Sequence, residues 1–223
     1  MPPKLQLNTG EEVAVGKILC VVRNYPSMAR EMGTEVPREP VFFLKPSSAV
    51  VGDGGPVVLP RRSRMVVAEG ELAVVIANEC RRLPAEEVSW HILGYAAALD
   101  ITARDLQLVA QQKGYPWSQA KGYDSFFPMS EVAVAWPEAT AENLELTTKL
   151  NGVVAQRTNT NAMVFKVPEL IAAITQVMTL ERGDVISTGT PEGPPRLKEG
   201  DVVEVEIPTI GSIRVNVRPE APQ

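Results

Sequence analysis

The sequence predicts an α+β protein that is mostly β, made of short strands joined by turns, with a few short helices. Three observations predict it. Nineteen prolines and sixteen glycines in 223 residues punctuate the chain too often for long helices. Short runs of β-branched and aliphatic residues recur between those turn signals. One segment, Pro168–Met178, stands out as a helix, with proline at its first turn and an apolar stripe on Leu170, Ile171, Ile174, Val177 and Met178.

Length favours one main domain. We expect a short N-terminal hairpin segment over residues 1–16 and a single catalytic domain over 17–223. The 44% apolar and 22% charged fractions are those of an ordinary globular protein. A net charge of −5 excludes a basic field for nucleic acid or anionic membrane, and 5% aromatics argues against base stacking. Cys20 and Cys80 lie in or beside apolar runs and read as buried free thiols. With one histidine and no Cys-x-x-Cys, a thiolate zinc site is excluded. No apolar stretch approaches the ~18 residues of a membrane span, and no signal pattern opens the chain. The expectation is a cytoplasmic protein with a small-molecule substrate and no nucleic-acid or membrane partner.

In chain order, Lys4–Leu7 and Glu12–Val15 flank the turn Asn8-Thr9-Gly10 as a hairpin, and Lys17–Val22 is a fresh β-branched run. Arg23-Asn24-Tyr25-Pro26 then forms a loop of the kind that carries site residues. Ser27 is expected to cap a short helix ended by Gly33. Val41–Leu44 reads as a buried strand, and Val57–Leu59 as a short one before the exposed basic loop 61–64. Pro84 opens a short helix with acids in its first turn. Residues 107–125 read as a long polar loop, a candidate lid. Asn151-Gly152 is the strongest hairpin signal in the chain. A strand at 184–187 runs into the tight loop Thr188–Pro191, and a final hairpin turns at Ile210-Gly211.

The chemistry concentrates at Val66–Ile76. In a strand, Glu69 and Glu71 point the same way, with Cα atoms roughly 6.5–7 Å apart. Asp100 is embedded in the apolar run Ala96–Thr102. Carboxylates at the edge of a core are costly unless something positive sits among them. A hard divalent ion suits three oxygen ligands; pairing of Glu69 and Glu71 with Arg64 or Arg104 on a wet edge is the alternative.

The order and spacing of several segments resemble the fumarylacetoacetate hydrolase family along nearly the whole chain. They are Lys17–Tyr25, Glu39–Pro46, Glu69–Ile76, Gly94-Tyr95, Asp100–Gln107, Ala120–Asp124 and Met178–Pro191. The resemblance implies a mixed β-roll or β-sandwich with a few helices, and a homodimer. It implies a Mg²⁺ or Mn²⁺ site on Glu69, Glu71 and Asp100. The implied substrates are 2-oxo acids: β-keto acids, acylpyruvates or unsaturated diacids, handled by decarboxylation, keto–enol isomerisation or C–C hydrolysis. Lys121 resembles the family lysine that neutralises or protonates the oxyanion. Thr190 resembles the residue whose hydroxyl and amide hold the substrate carboxylate, and Gln107 a substrate-side glutamine. Arg23, Tyr25 and Lys45 are further candidates for substrate contact.

One departure bears on the reaction. Family hydrolases usually carry histidine in the short helix after the Asn-Tyr segment, with glutamate three residues on, to activate water. Glu31 fits the glutamate, but Met28 stands at the histidine position, and a thioether accepts no proton. A positioned acid–base group contributes about 10²–10⁴-fold, so hydrolysis suffers most. Decarboxylation or isomerisation is the favoured reading. A hydrolase relying on Glu31 alone and an impaired metal-binding homologue are the alternatives. His91 reads as structural.

Overall fold

The computed structural model describes residues 3–134 and 141–221. Strands β1 (Lys4–Gln6) and β2 (Glu12–Ala14) form the expected first hairpin. Strand β3 (Ile18–Val21) is buried throughout. Helix α1 (Pro26–Glu31) is capped two residues earlier than expected: Tyr25 is its N-cap and Pro26 occupies the first turn. Proline sets the helical φ in advance and lacks an N–H that would there go unbonded, so it displaces Ser27 from the capping role.

Strand β4 (Phe42–Lys45) is a sheet edge rather than the buried strand expected, with Leu44 49% exposed. An apolar run reads alike in either place. Short strands β5 (Val50–Val51) and β6 (Pro56–Leu59) lead to the long strands β7 (Val66–Ile76) and β8 (Ile92–Ala103). The connection between them is a 3₁₀ stretch, Ala85–His91, capped by Pro84 rather than an α-helix.

The expected lid loop is instead largely helical. Helix α2 (Arg104–Lys113) ends at Gly114, whose φ of 66° closes it, and the one-turn helix α3 (Ser118–Lys121) follows. Helix α2 buries only Gln107 and Ala110, so it shows no apolar stripe for a reader of the sequence to find.

Strands β9 (Phe127–Pro128) and β10 (Ala133–Val134) precede the hairpin of β11 (Glu145–Leu150) and β12 (Val153–Asn159). Asn151 and Gly152 both take positive φ, as a two-residue hairpin turn requires. Helix α4 (Val167–Val177) buries Leu170, Ile171 and Ile174, while Val177 in its last turn is 62% exposed, so the stripe is shorter than expected. Strands β13 (Val185–Ser187), β14 (Val202–Ile207) and β15 (Gly211–Pro219) complete the fold.

Two sheets organise these elements. One has the order β10-β8-β7-β13-β3-β4, the other β12-β11-β14-β15-β6. The larger hydrophobic cluster joins them through Val66, Ala68, Leu72 and Val74 of β7 and Val203, Val205, Ile213 and Val215 of the second sheet. A smaller cluster covers the opposite face of the first sheet, where Leu5 and Val13 of the hairpin meet Cys20, Ala73 and Ala98. Cys20 and Cys80 are free and buried.

Candidate active site

Strands β7 and β8 pair antiparallel, with Glu69 directly opposite Asp100. Alternation along β7 sends even-numbered residues to the cluster between the sheets and odd-numbered ones to the other face. Glu69 and Glu71 therefore share a face, and Asp100 joins them across the ladder. All three are buried, and one carboxylate oxygen from each lies within 4.8 Å of the others.

Fixed cations surround the acids. The Lys121 ammonium donates to Glu69 Oε2 at 2.8 Å and to Asp100 Oδ2 at 2.5 Å. Arg104 donates to Glu69 Oε1 at 2.5 Å and to Gln107 Oε1 at 3.2 Å. The Lys45 ammonium ion-pairs with Asp100 Oδ1 at 2.7 Å and also donates to the carbonyls of Ile101 and Phe126. Glu71 Oε2 accepts from Ser187 Oγ at 2.5 Å and from Gly189 N at 2.8 Å.

The electrostatics follow from this packing. Burial and then the charge of Asp100 push the Glu71 carboxyl well above the usual carboxylate range, against the Ser187 hydrogen bond. Burial alone would lower the Lys121 ammonium, but Asp100 and Glu69 outweigh it and hold it above its ordinary value. Burial likewise works against charged Asp100, and Lys121 with Lys45 reverses it, so Asp100 stays ionised. The site fits a hard divalent cation. Its donors are all carboxylate oxygens, close enough to share one ion, and Glu71, unlike Glu69 and Asp100, has no ion-pair partner among the described residues.

A cavity of about 380 Å³ opens onto this cluster. Glu69, Glu71, Asp100, Lys121, Arg23, Gln107 and Thr190 line it, as does Met28. Other candidates lie off its wall. Glu31 is exposed, with its carboxylate accepting from Gly193 N at 2.6 Å. Lys45 sits fully buried behind Asp100, where it has no surface for a substrate. Tyr25 is fully buried, its hydroxyl without a hydrogen-bond partner among the described residues.

Sequence reasoning missed Ser187 and Gly189 as the anchors of Glu71, and the aromatic wall. The Phe43 ring lies under the Lys121 ammonium at 4.9 Å and packs edge-on against Trp117 at 5.5 Å. The strand-then-Thr-Gly-Thr pattern after residue 184 was the only signal for the anchors; nothing local marks Phe43 or Trp117. Arg104, weighed as a surface alternative to a metal, instead pairs with Glu69 inside the cluster.

Comparisons with known proteins agree with this geometry. The profile of the fumarylacetoacetate hydrolase C-terminal domain matches residues 17–218. The chain is 44% identical over 201 residues to a protein of Arabidopsis thaliana named oxaloacetate tautomerase FAHD1, mitochondrial, covering 90% of each. It is 42% identical over 192 residues to the mitochondrial oxaloacetate decarboxylase of Dictyostelium discoideum, covering 86% of this chain and 88% of that one. A fumarylpyruvate hydrolase from Pseudomonas aeruginosa, solved with Mn²⁺ and pyruvate, superposes with a TM-score of 0.94 at 30% identity, over 98% of this chain and 97% of that one. With the family's domain matched over most of the chain and relatives above 40% identity, the chain belongs to the fumarylacetoacetate hydrolase family of enzymes.

Proposed function

We propose that this chain is a divalent-metal-dependent enzyme acting on oxaloacetate or a close 2-oxo dicarboxylate by enolate chemistry, as tautomerisation or decarboxylation, rather than by C–C hydrolysis. Met28 carries this reading: it lines the cavity at 4% exposure, where a water-activating histidine would stand in a hydrolase of this family. Glu31, the residue left to act as a base, is off the cavity wall and hydrogen-bonded to Gly193.

Charge supports the substrate class. Three acids, Glu69, Glu71 and Asp100, share the site with three cations, Lys45, Lys121 and Arg104, so the fixed charges cancel formally. Glu69, Glu71 and Asp100 would hold Mg²⁺ or Mn²⁺, leaving two positive charges for a dianion. Bound there, the metal supplies Lewis acidity toward the carboxylate and ketone oxygens of a 2-oxo acid.

The chain's own residues do the rest. Lys121, an ammonium in the cavity wall, would stabilise the negative charge that develops on a bound substrate's enolate oxygen and would return a proton to it. It shares Glu69 and Asp100 with any cation held there, so its proton is less tightly held in the loaded site. Arg23, Gln107 and Thr190 line the cavity as partners for the substrate's carboxylates. Phe43, Trp117, Met28 and Met32 form an apolar wall that limits water. Neither reaction needs an activated water: one relocates a proton between C3 and the enol oxygen, and the other releases CO₂ and reprotonates the carbon. A homodimer in the cytoplasm is part of the same proposal, and sedimentation as a monomer would overturn that part.

The test is a substrate panel with Mg²⁺ or Mn²⁺, with and without chelator. Oxaloacetate enol decay or CO₂ release is expected above the metal-only background and lost with chelator. Cleavage of acylpyruvates by the parent protein faster than its action on oxaloacetate, and abolished by Glu31→Gln, overturns the reading in favour of a hydrolase. No turnover of either class leaves an impaired homologue.

A further inference from the structure

We infer that Gln156 is a positioning residue of this site, acting from the second sheet on both the acid strand and the Thr190 loop. The inference rests on the reading of Glu69, Glu71, Asp100 and Thr190 as the binding site. Gln156 lies on β12, does not line the cavity and is 2% exposed, while its neighbours Ala155 and Arg157 are exposed. The ladder between β11 and β12 shifts register after Thr148, so that Thr148 pairs with Gln156 but Lys149 pairs with Val154. That bulge leaves Ala155 unpaired and re-aims the strand locally, which is a common use of bulges beside sites.

Every hydrogen bond of the Gln156 side chain runs to the other sheet's site. Its Oε1 accepts from Gly70 N at 3.0 Å, the peptide between Glu69 and Glu71. Its Nε2 lies 3.0 Å from Thr190 Oγ1, 3.0 Å from Pro191 O and 3.3 Å from Glu192 O. Only one amide orientation satisfies this set, because the Gly70 group is a donor and the carbonyls are acceptors. Thr190 Oγ1 in turn donates to Gly70 O at 2.9 Å. Gly70 is thus held at both its N–H and its carbonyl, once by Gln156 and once by a hydroxyl that Gln156 orients.

Two consequences follow. The Thr190 hydroxyl hydrogen is committed to Gly70, so the backbone N–H of Thr190, which donates to nothing among the described residues, is the group left for a substrate carboxylate. Gly70 also has no room for a side chain: a Cβ there would meet Thr148 Oγ1 at 2.0 Å and Gln156 Oε1 at 3.3 Å. The second sheet therefore presses on the acid strand at the one residue between its two carboxylates, and Gln156 is what links that contact to the Thr190 loop.

The experiment compares Gln156→Leu and Gln156→Glu with the parent. Calorimetry reads the affinity for Mn²⁺ alone and for pyruvate in the presence of Mn²⁺; circular dichroism and thermal melting read the fold. Gln156→Leu removes every bond and is expected to weaken both Mn²⁺ and pyruvate, the latter by about tenfold, as for loss of hydrogen bonds that orient a buried group. Gln156→Glu keeps an acceptor for Gly70 N but sets a carboxylate against Pro191 O and Glu192 O. It is expected to bind Mn²⁺ at least as tightly as the parent yet lose pyruvate affinity to the same degree, with KM for oxaloacetate rising more than kcat falls. Parent-like pyruvate affinity in both variants, or loss of cooperative melting in both, makes Gln156 a scaffold residue and overturns the inference. A parent protein that binds Mn²⁺ and pyruvate but leaves oxaloacetate untouched overturns the proposed reaction alone.

Discussion

Asp100 sits between two lysines with opposite duties. Lys45 is sealed behind it and holds the carbonyls of Ile101 and Phe126, whereas Lys121 faces the cavity. Lys45→Met leaves buried Asp100 with one cation and is expected to cost about 3–5 kcal/mol, read by urea denaturation. Lys121→Met removes a cation that competes for Glu69 and Asp100. Turnover should fall by about 10²-fold or more, while Mn²⁺ binds at least as tightly as in the parent; weaker Mn²⁺ binding would show that Lys121 supports the metal site rather than the reaction. Glu71→Gln keeps an oxygen acceptor for Ser187 and Gly189 but removes a ligand charge. Calorimetry should show Mn²⁺ affinity at least about tenfold lower, the scale of losing one charge-assisted contact.

At the scale of elements, the pairing of β7 with β8 decides the site. Glu69 faces Asp100 only in the observed register, and a slip of one residue would send the acids to the cluster between the sheets. Gly70 guards that register from the far side, since its missing Cβ is what lets Thr148 and Gln156 approach. Gly70→Ala is expected to cost about 1–3 kcal/mol from overpacking, seen as a lower midpoint in denaturation, and to weaken Mn²⁺ binding with it. Parent-like stability would mean that Thr148 yields without consequence. Both hairpin turns near residues 9 and 151 were legible because their turn residues are local signals. Helices α2 and α3 were not, because α2 faces solvent over most of its surface and α3 is one turn long.

Over the whole molecule, the cavity gathers residues from Val21 to Thr190, brought together by α1, β7, β8, α2 and the loop after β13. Binding to the native state alone stabilises it by mass action. Saturating Mn²⁺ should therefore raise the melting temperature of the parent, and Glu71→Gln should lose that shift; an equal shift in both would place the ion elsewhere. The same gathering sets the charge balance of the site, since Lys45, Arg104 and Lys121 come from three separate elements.

The sequence by itself determined the mostly-β class, the strand that carries Glu69 and Glu71, the oddity of Asp100 in an apolar run, and Met28 in place of a base. These are properties of alternation, local composition and spacing, which the chain states residue by residue. Only the tertiary structure decided that Lys45 lies behind the site and Glu31 beside it, that Arg104 belongs to the cluster, and that Gln156 reaches Gly70 and Thr190 from another sheet. Those contacts join residues far apart in the chain, and direction and burial, not residue type, choose among side chains that read alike in one dimension.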